Sequence, residues 1–309
     1  MSCTNPQPAF KILMPDGKYK VKFIRHVDTG NYVSLQQKYG DDLLMIPCGK
    51  CDSCIEKRTR DWAVRCCLEA AEYENNCFLT LTYKTSCLPS KGLSKKDLQR
   101  FIKALRNEFG EGIRYYACGE YGTKSYRPHY HLIVFNFFPD DAVKEFANPY
   151  GGFYYSSKKL NDLWKLGFVS VGDVSFNSCA YVARYCNKKI RDYGREVGVI
   201  ANPEFSLMSL RPGIGKAYFD KHMRSLIETD TIYAQIGDKF KTGSNRYFDK
   251  LIEQVDPDKL LELKKDRISK SNDSVACELL NRSLRSMEAF LNYQESVKAE
   301  KYDRLKRRI

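Results

Sequence analysis

The feature that most constrains this chain is a pair of strand-like runs, IRYYACGE at 113–120 and PHYHLIVFNF at 128–137, separated only by YGTKSYR. Both runs are rich in apolar and β-forming residues. So short a connection allows antiparallel pairing only, because parallel neighbours need a crossover of a dozen or more residues. The flanking segments fall into place around this hairpin. CFLTLTY (77–83) reads as another strand, and Trp62, Cys66 and Ala70, spaced four apart within 57–75, mark a helix before it. Ser94 with Asp97 makes a helix-start signature ahead of LQRFIKALRNEF, which Gly110 ends. A short helix is expected over 156–166, a strand over 168–174 and a helix over 177–190. This order predicts an α+β fold, an antiparallel sheet with packed helices, rather than a doubly wound parallel sheet.

The expected organisation is a core at 77–200 preceded by an N-terminal segment, 1–76, whose first 47 residues are loop and short-strand material with turns at Pro15-Asp16-Gly17 and Thr29-Gly30-Asn31. Residues 201–309 read as a mainly helical, highly charged C-terminal extension, with GKAYFDKHMRSLI (215–227) its clearest helix. The formal net charge of +13 points to a polyanionic partner, nucleic acid before an acidic membrane surface. No stretch approaches the roughly 18 uninterrupted apolar residues of a transmembrane candidate, and MSCTNPQPAFKILMPDGKYK lacks a signal peptide's apolar core. The 12 cysteines are therefore expected to be reduced thiols in a cytoplasmic setting.

Two of the four histidines, His129 and His131, stand two residues apart in RPHYHLIVF. On a strand their imidazoles share a face while Tyr130 points the other way. Symmetric pairing of the hairpin sets Glu120 opposite His129 and Cys118 opposite His131. A two-histidine, one-carboxylate face with open positions suits Mg²⁺ or Mn²⁺ acting as a Lewis acid. Taken alone, H-x-H describes ordinary hydrogen-bonded histidines equally well. Downstream, Tyr181 and Tyr185 are spaced to share a helix face that Lys188 extends. A phenol beside a divalent cation and a lysine becomes an accessible nucleophile toward phosphorus. Paired helical tyrosines are also a common core arrangement.

With these residues in place the chain resembles a known family. PHYH (128–131) resembles the HUH motif of rolling-circle replication initiators, in which the middle position is hydrophobic; FLTLTY (78–83) resembles motif I, GEYG-x5-PHYH (119–131) motif II and YVARYCNKK (181–189) motif III. The resemblance is strongest to initiators of the gokushovirus-like Microviridae, phages with single-stranded DNA, where PCGKCDSCIEKRTRDWAVRCCLEA (47–70) also looks like a recurrent element. It implies an RRM-like or ferredoxin-like HUH endonuclease fold, with His129, His131 and Glu120 as metal ligands and Tyr181 and Tyr185 as paired nucleophiles. Tyr185-x-x-Lys188 matches the spacing of single-tyrosine initiators; if one tyrosine acts alone, the resemblance favours Tyr185. It also implies nicking of single-stranded origin DNA, a 5′-phosphotyrosine, a 3′-hydroxyl extended by a host polymerase, and action in the host bacterial cytoplasm. No Walker-type GKS/T loop is present, so a host helicase is an expected partner. Relaxases and single-strand transposases share this chemistry and stand as an alternative.

Cys48, Cys51 and Cys54 form C-x2-C-x2-C, which with a fourth thiol from Cys66 or Cys67 would make a structural Zn²⁺ site. Together with the positive charge, it supports another alternative, a zinc-stabilised nucleic-acid-binding module without catalysis. Lys57, Arg58, Arg60 and Arg65, with Lys124 and Arg127 in the hairpin loop, are candidate phosphate contacts. Tyr115, Tyr116, Tyr126 and Phe135 are candidate stacking surfaces for unpaired bases.

Overall fold

A computed structural model describes residues 6–17, 19–24, 32–122, 125–147, 152–188, 202–236 and 238–281, together with Cys3, Tyr293, Ser296 and Val297. The chain divides into two compact units, 1–57 with 264–309 and 58–263. In the first, β1 (Gln7–Leu13) and β2 (Tyr19–Phe23) are joined through the Pro15-Asp16-Gly17 turn, where Gly17 takes a positive φ and its N–H bonds to the Met14 carbonyl. Helix α1 (Tyr32–Tyr39) leads to β3 (Leu43–Ile46), giving a sheet of order β2-β1-β3. The pairing is antiparallel, with Gln7 opposite Ile46, so the chain entering β1 and the chain leaving β3 meet at one edge.

The second unit is built on a seven-stranded sheet. In chain order its elements are α2 (Asp52–Ala70, which begins in the first unit), β4 (Asn76–Tyr83), α3 (Lys95–Phe109), β5 (Arg114–Tyr121), β6 (Pro128–Phe135), β7 (Val143–Ala147), β8 (Phe153–Ser156), α4 (Lys158–Trp164), β9 (Gly167–Gly172), α5 (Phe176–Lys188) and β10 (Phe205–Met208). The strand order is β10-β5-β6-β4-β9-β8-β7, and every neighbouring pair is antiparallel. There follow α6 (Lys216–Thr229), the hairpin β11 (Thr231–Ile236) and β12 (Asp238–Gly243), α7 (Arg246–Val255) and α8 (Pro257–Asn281). No helix among the described residues is long and apolar enough to cross a membrane.

Alternation along the strands divides the sheet into two apolar faces. Leu79, Leu81, Ala117, Tyr130, Leu132 and Val134 pack with Leu98, Phe101, Ile102 and Leu105 of α3 and with Leu160 and Trp164 of α4. The α3 residues recur every three or four positions, which gathers them on one stripe. Its start is capped by Ser94, whose side chain accepts from the Asp97 N–H at 3.2 Å. Tyr130 ties the strand to this cap: its hydroxyl accepts from the Ser94 N–H at 2.9 Å and lies 2.7 Å from the Tyr83 hydroxyl, which donates to Asp97. On the opposite face, Tyr116, Cys118, Ile133 and Phe135 meet Ala63, Cys66, Cys67 and Ala70 of α2 and Cys179, Val182 and Ala183 of α5. Fully burying an apolar side chain of this size stabilises a fold by about 1.5–3 kcal/mol, so the two faces hold β6 firmly in register.

The α+β class, the central hairpin and the helix limits around Ser94 and Gly110 agree with the sequence reading. Residues 201–309 are largely helical where described, yet they also supply β10 to the sheet edge and the β11–β12 hairpin. The sequence reading also lacks helix α1 and the outer strands β7 and β8. β7 is exposed throughout, and β8 and β10 have four residues each, too few to show alternation.

Candidate active site

Strand register builds the site. Glu120 of β5 is the Cα partner of His129 on β6, and Cys118 that of His131, as the hairpin argument requires. On the other side of β6, Thr82 faces His129 and Thr80 faces His131. His129 Nε2 lies 2.7 Å and His131 Nε2 3.0 Å from the same carboxylate oxygen, Glu120 Oε1. The remaining ring nitrogens are held from behind: His129 Nδ1 is 3.1 Å from the Arg127 carbonyl oxygen, and His131 Nδ1 is 3.0 Å from Thr80 Oγ1.

These contacts decide what the group is suited to hold. A carbonyl only accepts, so His129 carries its proton on Nδ1, and in the neutral ring Nε2 is a bare lone pair. That lone pair points at a carboxylate. Glu120 is 3% exposed, and its second oxygen, Oε2, is buried without a hydrogen bond. Lone pairs converging in a buried site repel one another unless a cation, a proton or a metal ion, lies among them. The three ligand atoms all lie within 4.8 Å of one another. Burial raises the Glu120 carboxyl, but hydrogen bonds and charge from both histidines outweigh it and hold the group below its ordinary range, hence ionised. Burial lowers His131 against the opposing pull of Glu120, which favours the neutral, ligating ring.

Helix α5 covers one side of this group. The Tyr181 ring stands edge-on to His131, with centroids 5.1 Å apart, and edge-on to Phe78 at 6.3 Å. Tyr181 is 39% exposed, so it borders the ligand group while reaching solvent. The backbone of α5 continues through Tyr185, one turn on, to Lys188 at its end.

The profile of a family of replication-associated proteins, the ORF2 family, matches residues 76–190, the stretch that carries every residue of this site. The chain is 30% identical over 276 residues to Replication-associated protein VP4 of Bdellovibrio phage phiMH2K, covering 86% of each protein. It is 30% identical over 307 residues to Replication-associated protein ORF2 of Spiroplasma virus 4, covering 95% of this chain and 92% of that one. With Replication-associated protein ORF4 of Chlamydia phage 1 it shares 33% identity over 220 residues, 68% of this chain and 54% of the other. The chain belongs to the replication-associated proteins of Microviridae-like single-stranded DNA phages. No solved structure matches it significantly.

One residue of this phage replication protein's site was missed by sequence reasoning. Phe168 on β9 is the Cα partner of Thr82, which puts Glu120, His129, Thr82 and Phe168 in one row across four strands on one face. Its ring is 68% exposed. Close pairing there depends on Gly167, where a Cβ would sit 1.9 Å from the Thr82 carbonyl oxygen. The alternation FVSVGDV contained the signal: Phe168 falls on the strand face opposite to the core residues Val169 and Val171.

Several expected contacts take other roles. Tyr116 and Phe135 are core residues rather than stacking surfaces, and Tyr115 packs against the other core with the Arg106 guanidinium over its ring. Tyr126 is exposed. Arg65 is not a surface phosphate contact: its guanidinium lies between the Trp62 and Tyr247 rings, at 4.0 and 3.7 Å, and donates to the Ile214 carbonyl. Arg127 donates to the Tyr83 carbonyl at 2.8 Å, which steadies the start of β6. Lys57, Arg58 and Arg60 are exposed, and Lys124 lies outside the described residues. Cys66 and Cys67 are fully buried against the sheet and are not the fourth thiol of the cysteine cluster. That place is taken by Cys3, which joins Cys48, Cys51 and Cys54.

Proposed function

We propose that this chain is the replication initiator endonuclease of its phage, nicking and rejoining single-stranded origin DNA through tyrosine transesterification. The observation that carries the reading is the edge-on approach of Tyr181 to His131, which puts a solvent-accessible phenol beside a buried group of three convergent ligands. Bound by His129, His131 and Glu120, a divalent Mg²⁺ or Mn²⁺ would supply Lewis-acid charge to the scissile phosphate.

The chain's own residues do the rest. The tyrosine oxygen bonds to phosphorus, the bond from phosphorus to the 3′ oxygen breaks, and the phenolic proton is balanced by the proton taken up on the departing 3′-hydroxyl. The product is a 5′-phosphotyrosine that conserves the energy of the linkage, so a later 3′-hydroxyl can reverse the step and close a circle. Tyr181 is the nucleophile that the described side chains favour; Tyr185 acts as the second, with Lys188 near the phosphate. Thr80 and the Arg127 carbonyl keep both imidazoles oriented with Nε2 forward. Phe168 offers an exposed ring on which an unpaired base can stack beside the cut. A net charge of +13 draws the strand in. With no phosphate-binding loop of a helicase in the sequence, unwinding and synthesis fall to host proteins in the bacterial cytoplasm.

The test uses labelled single-stranded origin DNA of the phage with Mn²⁺, resolved on a denaturing gel. A covalent adduct that vanishes with chelator and in the Tyr181→Phe/Tyr185→Phe double variant supports the proposal. A normal adduct in that variant excludes these nucleophiles, and DNA binding without any adduct turns the reading to a non-catalytic module.

A further inference from the structure

Among the described residues a second group of metal-ligating side chains lies apart from the proposed active site, and replication chemistry leaves it unexplained. The Sγ atoms of Cys3, Cys48, Cys51 and Cys54 all lie within 4.8 Å of one another. We propose that these four cysteines form a structural zinc site, with Cys3 the ligand that completes the C-x2-C-x2-C cluster and the ion a clasp for the N-terminal sheet.

Topology explains the meeting. Antiparallel pairing of Gln7 with Ile46 brings the chain ahead of β1 beside the chain that leaves β3, so Cys3 reaches Cys48 although 45 positions separate them. Cys48 and Cys51 flank a tight turn in which Gly49 holds φ at 72°, a conformation glycine adopts at little cost. Cys54 lies in the first turn of α2, where the helix dipole favours negative charge.

The sulfur environment is that of thiolates awaiting a cation. Two backbone N–H groups, of Lys50 at 3.4 Å and Cys51 at 3.3 Å, donate to Cys48 Sγ, and the Cys48 N–H donates to Cys3 Sγ at 3.2 Å. Such donors stabilise charged sulfur and orient it. Cys3 and Cys51 Sγ are 3.6 Å apart. That is far beyond a disulfide bond of about 2.05 Å, and close to the edge of about 3.8 Å of a tetrahedron with zinc–sulfur bonds of about 2.3 Å. Four sulfur ligands fill a tetrahedral site and leave no open position, which marks a structural rather than catalytic ion and selects zinc over magnesium or manganese. Binding converts the thiols to thiolates and releases their protons to solvent.

The N-terminal sheet has a use for such a clasp. Among the described residues up to position 57, only Ala9, Leu35 and Ser53 are buried, while Tyr19, Val21 and Phe23 of β2 are exposed. A unit with so little core gains much from a metal that ties its ends together.

The experiment takes the full-length protein, purified with a reductant and dialysed, and measures its metal content. We expect one equivalent of zinc per chain, unchanged in His131→Ala and in Cys87→Ser, and at least a tenfold loss of retention in Cys3→Ser and Cys48→Ser. Exchange of cobalt for zinc in the unaltered protein should give the intense thiolate charge-transfer absorption of a four-sulfur tetrahedral site, weaker by about a quarter in Cys3→Ser. The cobalt spectrum stands even where a cysteine variant fails to fold. A folded protein free of zinc, iron in its place, zinc lost with His131→Ala, or an undiminished band in Cys3→Ser would each overturn the proposal.

Discussion

The two ligand groups of this chain are assembled by opposite routes. Glu120, His129 and His131 come from facing strands of one hairpin and are brought together by local register. Cys3, Cys48, Cys51 and Cys54 come from the ends of strands that are distant in sequence, and meet only once the N-terminal sheet has closed. Their chemistry divides in the same way. The first group mixes nitrogen and oxygen donors, leaves Glu120 Oε2 unshared and borders an exposed tyrosine. The second offers four identical soft ligands and nothing further. A site for chemistry keeps a side open and lies on rigid strands; a site for stability closes around its ion.

That contrast can be broken experimentally, and the nucleophiles are the place to start. The Tyr181→Phe/Tyr185→Phe variant should lose covalent adduct formation by about a thousandfold or more, while thermal unfolding and zinc content stay as in the parent protein. Next, His131→Ala should abolish Mn²⁺-dependent cleavage and leave the cysteine group loaded; loss of both metals together would mean that the two groups are not independent. A smaller effect is expected one shell out. Thr80→Val, nearly isosteric, removes the hydroxyl that orients His131 and should weaken Mn²⁺ binding by about 10–100-fold, read by titration calorimetry. Phe168→Ala should weaken single-stranded DNA binding by about 1–3 kcal/mol with Mn²⁺ affinity unchanged, and unaltered binding would remove Phe168 from the strand's path. Least of all, Ser94→Ala should cost about 1 kcal/mol of stability through the lost helix cap and disturb neither metal.

What could be read from the sequence follows the same division between local and long-range order. The hairpin, the shared face of His129 and His131, the opposition of Glu120 and the Ser94 cap all depend on spacings of a few residues, and all agree with the structure. Cys3 was invisible to such reasoning because a sheet pairing, not a spacing, brings it to Cys48. Cys66 and Cys67 looked available because they are near in sequence, yet their helix positions turn them into the core. Arg65 misled similarly: a basic residue in a basic run, it serves to link two aromatic rings. Phe168 was hidden in a strand whose alternation was recognised but whose outward face was not followed to its neighbours. The strands at the sheet's far edge and β10 are too short or too polar to carry a pattern of their own.

Tyr130, between the two histidines, is anchored through its hydroxyl to the start of α3 on the opposite side of the sheet. Displacing the strand by one residue would turn the imidazoles into the core and tyrosine outward, and would break that anchor as well. The consequence is an uneven tolerance to insertions and deletions. Residues can be added to the loop between Gly122 and Arg127 while the ligands keep their places, so that loop is free to diverge in length among phages. A single residue gained or lost between Pro128 and Leu132 exchanges a ligand for a core side chain, and no compensating substitution nearby restores both at once.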